Sequence, residues 1–243
     1  MDKRPVGSID QSVNSLAELH FEGQTMDSIM GHVGRLAVQT LEGWDAAAAS
    51  LAAGTKIATY GTTDERINPV DQAQYDSNRG PCVDALKSGE TQYFDGTDVE
   101  ARWRVFAESA ADCGVYSVMS FPLKFNEEVI GALNFYSRER DAMRPGHREE
   151  GSLYAAQAAV AIANAQAYLA KDTQLSQLEE GLQTRTMIGQ ATGLLMAQEG
   201  LTSDEAFQKL VYVSQNSNIK LREIAQRYVA AWEQKTAPPK VKT

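Results

Sequence analysis

Apolar positions recur at three- and four-residue steps along some stretches of the chain and pair up as short runs around turns along others, and that contrast predicts its elements. Val13, Leu16 and Leu19, followed by Met26, Ile29, Met30, Val33, Leu36, Ala37 and Leu41, predict two helices joined near Phe21-Glu22-Gly23, the second ended by Gly43-Trp44-Asp45. Ala46 to Leu51 and Ile57 to Tyr60 predict paired strands, with a hairpin turn at Ala53-Gly54-Thr55-Lys56. Val70 to Ser77 is amphipathic up to Asn78-Arg79-Gly80-Pro81, and Cys82 to Ser88 follows as a short helix for which Pro81 suits the first turn. Thr91 to Phe94 predicts a short strand and Trp103 to Cys113 a helix. Ser117 to Lys124 and Val129 to Tyr136 form the clearest hairpin, closed across Phe125-Asn126-Glu127-Glu128.

From His147 a helical run reaches at least Leu182, with Leu153, Ala156, Val160, Ala163 and Ala167, then Leu175, Leu178 and Leu182, on one broad stripe. The three leucines make a short seam of the kind that pairs helices. Three short amphipathic helices are predicted next. Their apolar positions are Ile188, Ala191, Leu194 and Leu195, then Ala206, Phe207, Leu210 and Val211, then Ile219, Leu221, Ile224, Ala225 and Val229. The first gap, Glu199 to Glu205, carries a glycine stop and then a Ser or Thr cap with acids in the first turn. The second gap is the polar run Ser214 to Asn218. This bundle buries one face of each helix and leaves Arg185, Gln190, Gln215, Asn218, Lys220 and Arg222 for solvent or a partner, with Met196, Phe207 and Leu221 expected in its core.

Charge separates the same two regions. Residues 1–183 hold 15 basic and 27 acidic side chains, net −12, whereas residues 184–243 hold 8 and 5, net +3. An acidic body repels nucleic acid across a Debye length of about 8 Å, so any such contact concentrates on the basic end. The 243 residues suit two domains. No apolar stretch reaches the roughly 18 residues of a membrane span, and Met1-Asp2-Lys3-Arg4-Pro5 has no apolar signal core, so a cytoplasmic protein without membrane contact is expected. Cys82 and Cys113, the two cysteines, read as reduced thiols, and His20, His32 and His147 lack ligand spacing, so no metal site is expected.

Arg185 with Ile188, the run Gln190-Ala191-x-Gly193-x-Leu195-Met196, Glu205-Ala206-Phe207, Ser214-Gln215, and Asn218-x-Lys220-Leu221-x-x-x-Ala225 together resemble the ANTAR domain over Arg185 to Val229. The resemblance implies a three-helix module that binds paired RNA hairpins in transcription antitermination. Thr192 stands where that family usually has Lys, and Val211 where it often has Arg. By the same resemblance Arg185, Lys220 and Arg222 meet phosphates, Gln190, Thr192, Ser214, Gln215 and Asn218 bond to loop bases, and Ala191 and Gly193 allow close approach.

Tyr75, the segment Gly80-Pro81-Cys82-Val83-x-Ala85, Ser120-Phe121-Pro122-Leu123 and the run Val129-Ile130-Gly131-Ala132-Leu133-Asn134-Phe135-Tyr136 resemble a GAF domain over about Ser12 to Lys171. That implies an antiparallel sheet with the N-terminal and final helices on one face and the insertion from about Thr62 to Val115 on the other. A pocket for an unknown small molecule would lie under the insertion, lined by Tyr75, Cys82, Trp103, Phe106, Tyr116 and Phe121, unless these residues are simply core. No nucleotide signature or phosphate-cradling glycine loop accompanies them, and no cofactor is expected.

The expected architecture is therefore α+β: a frayed segment 1–11, a GAF sensor domain 12–171, a long helical linker 149–183 overlapping its end, an all-α three-helix ANTAR domain 184–232 and a disordered tail 233–243. The expected function is signal-responsive binding of a two-hairpin antiterminator RNA by a homodimer, with no catalytic group. Two other readings stay open. Ile219 to Tyr228 could serve as a DNA recognition helix through Lys220, Arg222 and Gln226, against the charge of Glu223. Some GAF proteins reduce free methionine sulfoxide, and Cys82 with Cys113 could be an attacking and resolving pair.

Overall fold

A computed structural model describes residues 9–54, 56–96 and 101–236, and the chain divides into two compact units, Met1–Ala170 and Lys171–Thr243. The turn position Thr55 and the expected disorder at 1–8 and 237–243 lie outside the described residues. Residues 9–11 and 233–236, expected to be frayed or disordered, are helical.

In the first unit, helices α1 (Ile9–Ala17) and α2 (Met26–Thr40) precede strands β1 (Ala46–Ala53) and β2 (Lys56–Tyr60). Thr25 caps α2 by accepting the amide of Ser28. The insertion carries α3 (Asn68–Ser77), α4 (Pro81–Ser88), β3 (Gln92–Phe94) and α5 (Arg104–Asp112). Then come β4 (Ser117–Phe125), β5 (Glu128–Ser137) and α6, which begins at His147. Asn126 and Glu127 both take positive φ, 49° and 66°, which is what a two-residue turn needs to match the strand twist.

The five strands form one antiparallel sheet in the order β2-β1-β5-β4-β3. Because side chains alternate along a strand, each strand feeds two cores. Ala47, Ala49, Leu51, Met119, Phe121, Leu123, Leu133 and Phe135 pack with α1, α2 and the start of α6. Ala46, Ala48, Val118 and Tyr136 pack instead with Ile67, Val70, Phe94, Trp103, Phe106 and Ala110 of the insertion. The alanines of β1 leave room for α2 to approach closely. Tyr154 of α6 ties the first layer together by donating its hydroxyl to the carbonyl of Val33 at 2.7 Å.

Helix α6 runs unbroken from His147 to Glu199, so the first of the three short C-terminal helices predicted from sequence is the last part of a 53-residue element. No proline falls inside it, and Gly151, Gly181, Gly189 and Gly193 are tolerated singly. In the second unit α7 (Ser203–Ser217) starts with a reciprocal capping box between Thr202 and Glu205. It continues through Ser214–Ser217, which the polar pattern marked as a gap. Small polar residues can ride on a solvent-facing helix side; the helix stops only where Asn218 adopts the left-handed conformation, φ 53°. The link to α8 (Leu221–Thr236) is then three residues long. Ala191, Leu195, Ala206, Leu210, Ile224 and Ala225 form the core of this unit, with Ile188, Ile219, Leu221, Tyr228 and Val229 packed against it.

Candidate functional site

Two sets of polar residues stand out, one inside the first unit and one on the surface of the second. Inside, Asp71 of α3 is fully buried among donors. It accepts from the hydroxyl of Tyr136, from Thr59 Oγ1 at 2.8 Å and from Gln74 Nε2 at 3.2 Å. The Tyr75 hydroxyl, one turn along α3, bonds Ser50 Oγ at 2.8 Å and Thr59 Oγ1 at 2.6 Å. Asn134 Nδ2 donates to Ser50 Oγ at 3.0 Å, and Gln74 Oε1 accepts the amide of Cys82 at 2.8 Å. Asn134 Oδ1, and Ser120 Oγ of its register partner on β4, are buried without a hydrogen-bond partner.

Burial dominates the electrostatics here. It pushes the Asp71 carboxyl up to about 6, against the opposing hydrogen bonds from Tyr136, Thr59 and Gln74. It also pushes the Cys82 thiol up to about 12, helped by the Asp71 charge, and holds the phenols of Tyr75 and Tyr136 far above their ordinary range. Cys82 donates to Ser50 Oγ at 3.4 Å. A thiol in this state is not a nucleophile at neutral pH. Cys113 is half-buried, packs against the other aromatic cluster, and is likewise pushed up by burial; both thiols are free.

The six residues expected to line a pocket do not converge. Tyr75 and Cys82 meet in the polar set. Trp103 and Phe106 are core: Phe106 packs edge-on against Phe94 at 5.1 Å, and the Trp103 indole donates to Asp84 Oδ2 at 2.9 Å. Tyr116 lies under the guanidinium of Arg140. Phe121 belongs to the opposite face of the sheet, because it is an odd-numbered position of β4. There its ring occupies the space a Cβ on Gly151 would need, 2.2 Å away, so helix α6 must carry glycine at that point. The cavity beside Tyr136, lined also by Asp45, Asp64, Arg66 and Cys113, measures about 10 Å³, room for one water at most. Asp71, Gln74, Ser50, Thr59, Asn134 and Tyr136 were absent from the sequence-based set. The available signal was a polar stripe, Asp71, Gln74 and Tyr75, on the buried side of α3.

On the second unit, Arg185, Gln190 and Gly193 of α6, Gln215 and Asn218 at the end of α7, Lys220 of the link and Arg222 of α8 are all exposed. Nothing lies within 4 Å of where a Cβ on Gly193 would be. Arg222 is paired with Glu180, an exposed contact of small worth. Three expected contact residues face inward instead. Ala191 is in the core, Thr192 is 8% exposed and returns its hydroxyl to the carbonyl of Ile188 at 2.8 Å, and Ser214 donates to the carbonyl of Ile219 at 2.6 Å, closing the link. Conversely Met196 and Phe207, expected in the core, are 36% and 38% exposed, since each falls at the edge of the three-helix contact. Leu221 is half-buried against that core. Tyr212, 67% exposed on α7, was not anticipated. Among the described residues no helix is long and apolar enough to cross a membrane, and no cluster of His, Cys, Asp and Glu could hold a metal ion.

The chain matches the family model for the GAF domain over residues 23–163, more than half its length, and that for the ANTAR domain over residues 176–229. No curated protein matches it. It is similar to the solved structure of fRMsr of Staphylococcus aureus in complex with substrate, at 15% identity over 67% of this chain and 99% of that one, TM-score 0.50. It is similar also to free methionine-R-sulfoxide reductase from Neisseria meningitidis in complex with its substrate, at 13% identity over 66% and 89%, TM-score 0.50. The GAF domain of a phosphoenolpyruvate-protein phosphotransferase from Coxiella burnetii gives 12% identity over 67% and 96%, TM-score 0.50. At these identities the likeness is one of fold.

Proposed function

The chain belongs to the GAF family and joins that domain to an ANTAR domain, the architecture of an RNA-binding antitermination regulator with a sensor, and we propose that it binds a paired-hairpin RNA as a homodimer in response to a signal received by the GAF domain. The observation that carries the reading is the coincidence of the ANTAR match at 176–229 with the basic end of an otherwise acidic chain. Arg185, Lys220 and Arg222 meet phosphates; Gln190, Gln215 and Asn218 reach the bases that hairpin loops leave unpaired. Gly193 lets the RNA backbone come close. Ala191, Thr192 and Ser214 act from within, holding the helices that present the others.

Dimer formation is supported by large apolar side chains of α6 that stand exposed to solvent within their own unit. Leu153, Val160 and Tyr168 are 49%, 42% and 39% exposed in the first unit, and Leu175, Leu178 and Leu182 are 60%, 61% and 54% exposed in the second. A signal that changes the pairing of this helix between protomers would align two ANTAR domains on two hairpins and stabilise the antiterminator RNA at the terminator's expense. The signal itself is unidentified, and the protein acts in the cytoplasm. A reductase role finds no support in a buried, protonated Cys82.

The test is a gel-shift titration of the full chain against a two-hairpin RNA, a loop-scrambled control and duplex DNA, repeated with Arg185→Ala and Lys220→Ala. Loop-dependent RNA binding is expected, weakened about tenfold by each variant, with the salt slope reduced by about 0.7–0.9. Equal binding to duplex DNA would favour a helix-turn-helix regulator instead.

A further inference from the structure

Helix α8 continues past the end of the ANTAR match at residue 229, and there it builds a groove. Tyr228 and Trp232, four residues apart and so on one side of the helix, line it with Ala231, Lys235 and Gln198 from the last turn of α6. The Tyr228 hydroxyl donates to Gln198 Oε1 at 3.5 Å across it. Tyr228 and Trp232 are half-buried, whereas Gln198 and Lys235 are exposed. Its volume is about 180 Å³, below the roughly 300–1,000 Å³ of pockets that enclose whole drug-sized ligands and suited to one flat ring system.

We propose that this groove takes one unpaired base of the RNA, stacked on the aromatic side chains that line it, Tyr228 and Trp232. The inference rests on the RNA-binding reading above and extends it to residues beyond the ANTAR match. An aromatic ring lining such a groove stacks with any base, whatever the sequence. The Gln198 amide supplies a donor and an acceptor for a base edge, and the Lys235 ammonium meets the adjoining phosphate. An RNA occupant fits better than a second apolar helix does: among the described residues that line the groove the one formal charge, on Lys235, is positive, Gln198 adds a polar edge, and the groove sits on the basic segment of the chain.

The three tryptophans permit a direct reading. Trp44 and Trp103 are buried, 4% and 3% exposed, in the first unit, whereas Trp232 is half-buried and lines the groove, so the emission that responds to a groove ligand is assigned to Trp232. Titrating the full chain with the two-hairpin RNA, and separately with a short single-stranded oligoadenylate, should quench the part of the emission that disappears in Trp232→Phe. Trp232→Ala should weaken hairpin-RNA binding about tenfold, Trp232→Phe by less than about threefold because a ring remains, and Lys235→Ala should lower the salt slope by about 0.7. Trp232→Phe also guards against a folding defect, since it keeps the bulk of the side chain. Loop-dependent RNA binding by the wild type with no change in Trp232 emission and no loss in Trp232→Ala would overturn the groove and leave the RNA reading standing. No binding of the hairpin RNA by the wild type, in gel shift or emission, would overturn both.

Discussion

The two units treat polar side chains in opposite ways. In the first, Asp71, Gln74, Ser50, Asn134 and Tyr136 are withdrawn from water and bonded to one another across α3, β1 and β5. In the second, the buried cluster is aliphatic and alanine side chains, Thr192 beside it returns its hydroxyl to its own helix, and Arg185, Gln190, Gln215 and Lys220 stand in solvent around it. A polar group inside is bound to its neighbours, so a change there costs stability before it costs anything else. A polar group outside can exchange water for a partner, so a change there alters binding and leaves the fold nearly untouched.

The largest expected effect tests the inside half of that contrast. Asp71→Ala leaves the Tyr136, Thr59 and Gln74 donors without an acceptor, and denaturant unfolding of the first unit should lose about 3 kcal/mol. A loss below about 0.5 kcal/mol would mean that the interior set is not structural. The next is its pH dependence. Since the folded carboxyl sits at about 6, above its ordinary 3.8, the protonated form favours folding. The stabilisation is full below 3.8 and is lost as pH rises through 6. Relative to Asp71→Asn, the wild type should therefore gain about 2 kcal/mol between pH 7 and pH 4.5. Parallel pH curves for the two proteins would sink this assignment.

Two smaller effects probe the outside half. With open space around it, Gly193→Ala should stabilise the second unit by about 1 kcal/mol, measured by thermal unfolding, while weakening RNA binding if the RNA backbone approaches there. Stabilisation with unchanged affinity would remove Gly193 from the interface. Smallest of all, Glu180→Gln frees Arg222 from its exposed partner and should raise RNA affinity about twofold in low salt, an increase that 0.3 M salt should erase. A drop in affinity would show that the ion pair positions Arg222 for binding.

The strands, the tight hairpin at Asn126-Glu127 and the helices of the C-terminal module could be read from periodicity because each is a local pattern with its own stop signal. The polar run Ser214–Ser217 misled for a local reason too: polarity is what a solvent-facing helix turn and a loop have in common. The site residues were less legible. Thr192 and Ser214 carry the chemistry of a contact, yet their hydroxyls close bonds to Ile188 and Ile219. Phe121 carries the chemistry of a pocket wall, yet strand alternation puts it on the far side of the sheet.

By itself the sequence determined most of the helices and strands, that the chain is divided into an acidic body and a basic end, and which residues of that end resemble an RNA-binding set. Those properties depend on residues a few positions apart or on simple sums of charge. Only the tertiary structure decided that Ser50 meets Asn134 across 84 residues and Tyr136 meets Asp71 across 65, that Cys82 is shut away as a protonated thiol, and that Gln198 faces Tyr228 and Trp232 across a groove. Burial and pairing are set by which elements pack together, and no local pattern records that.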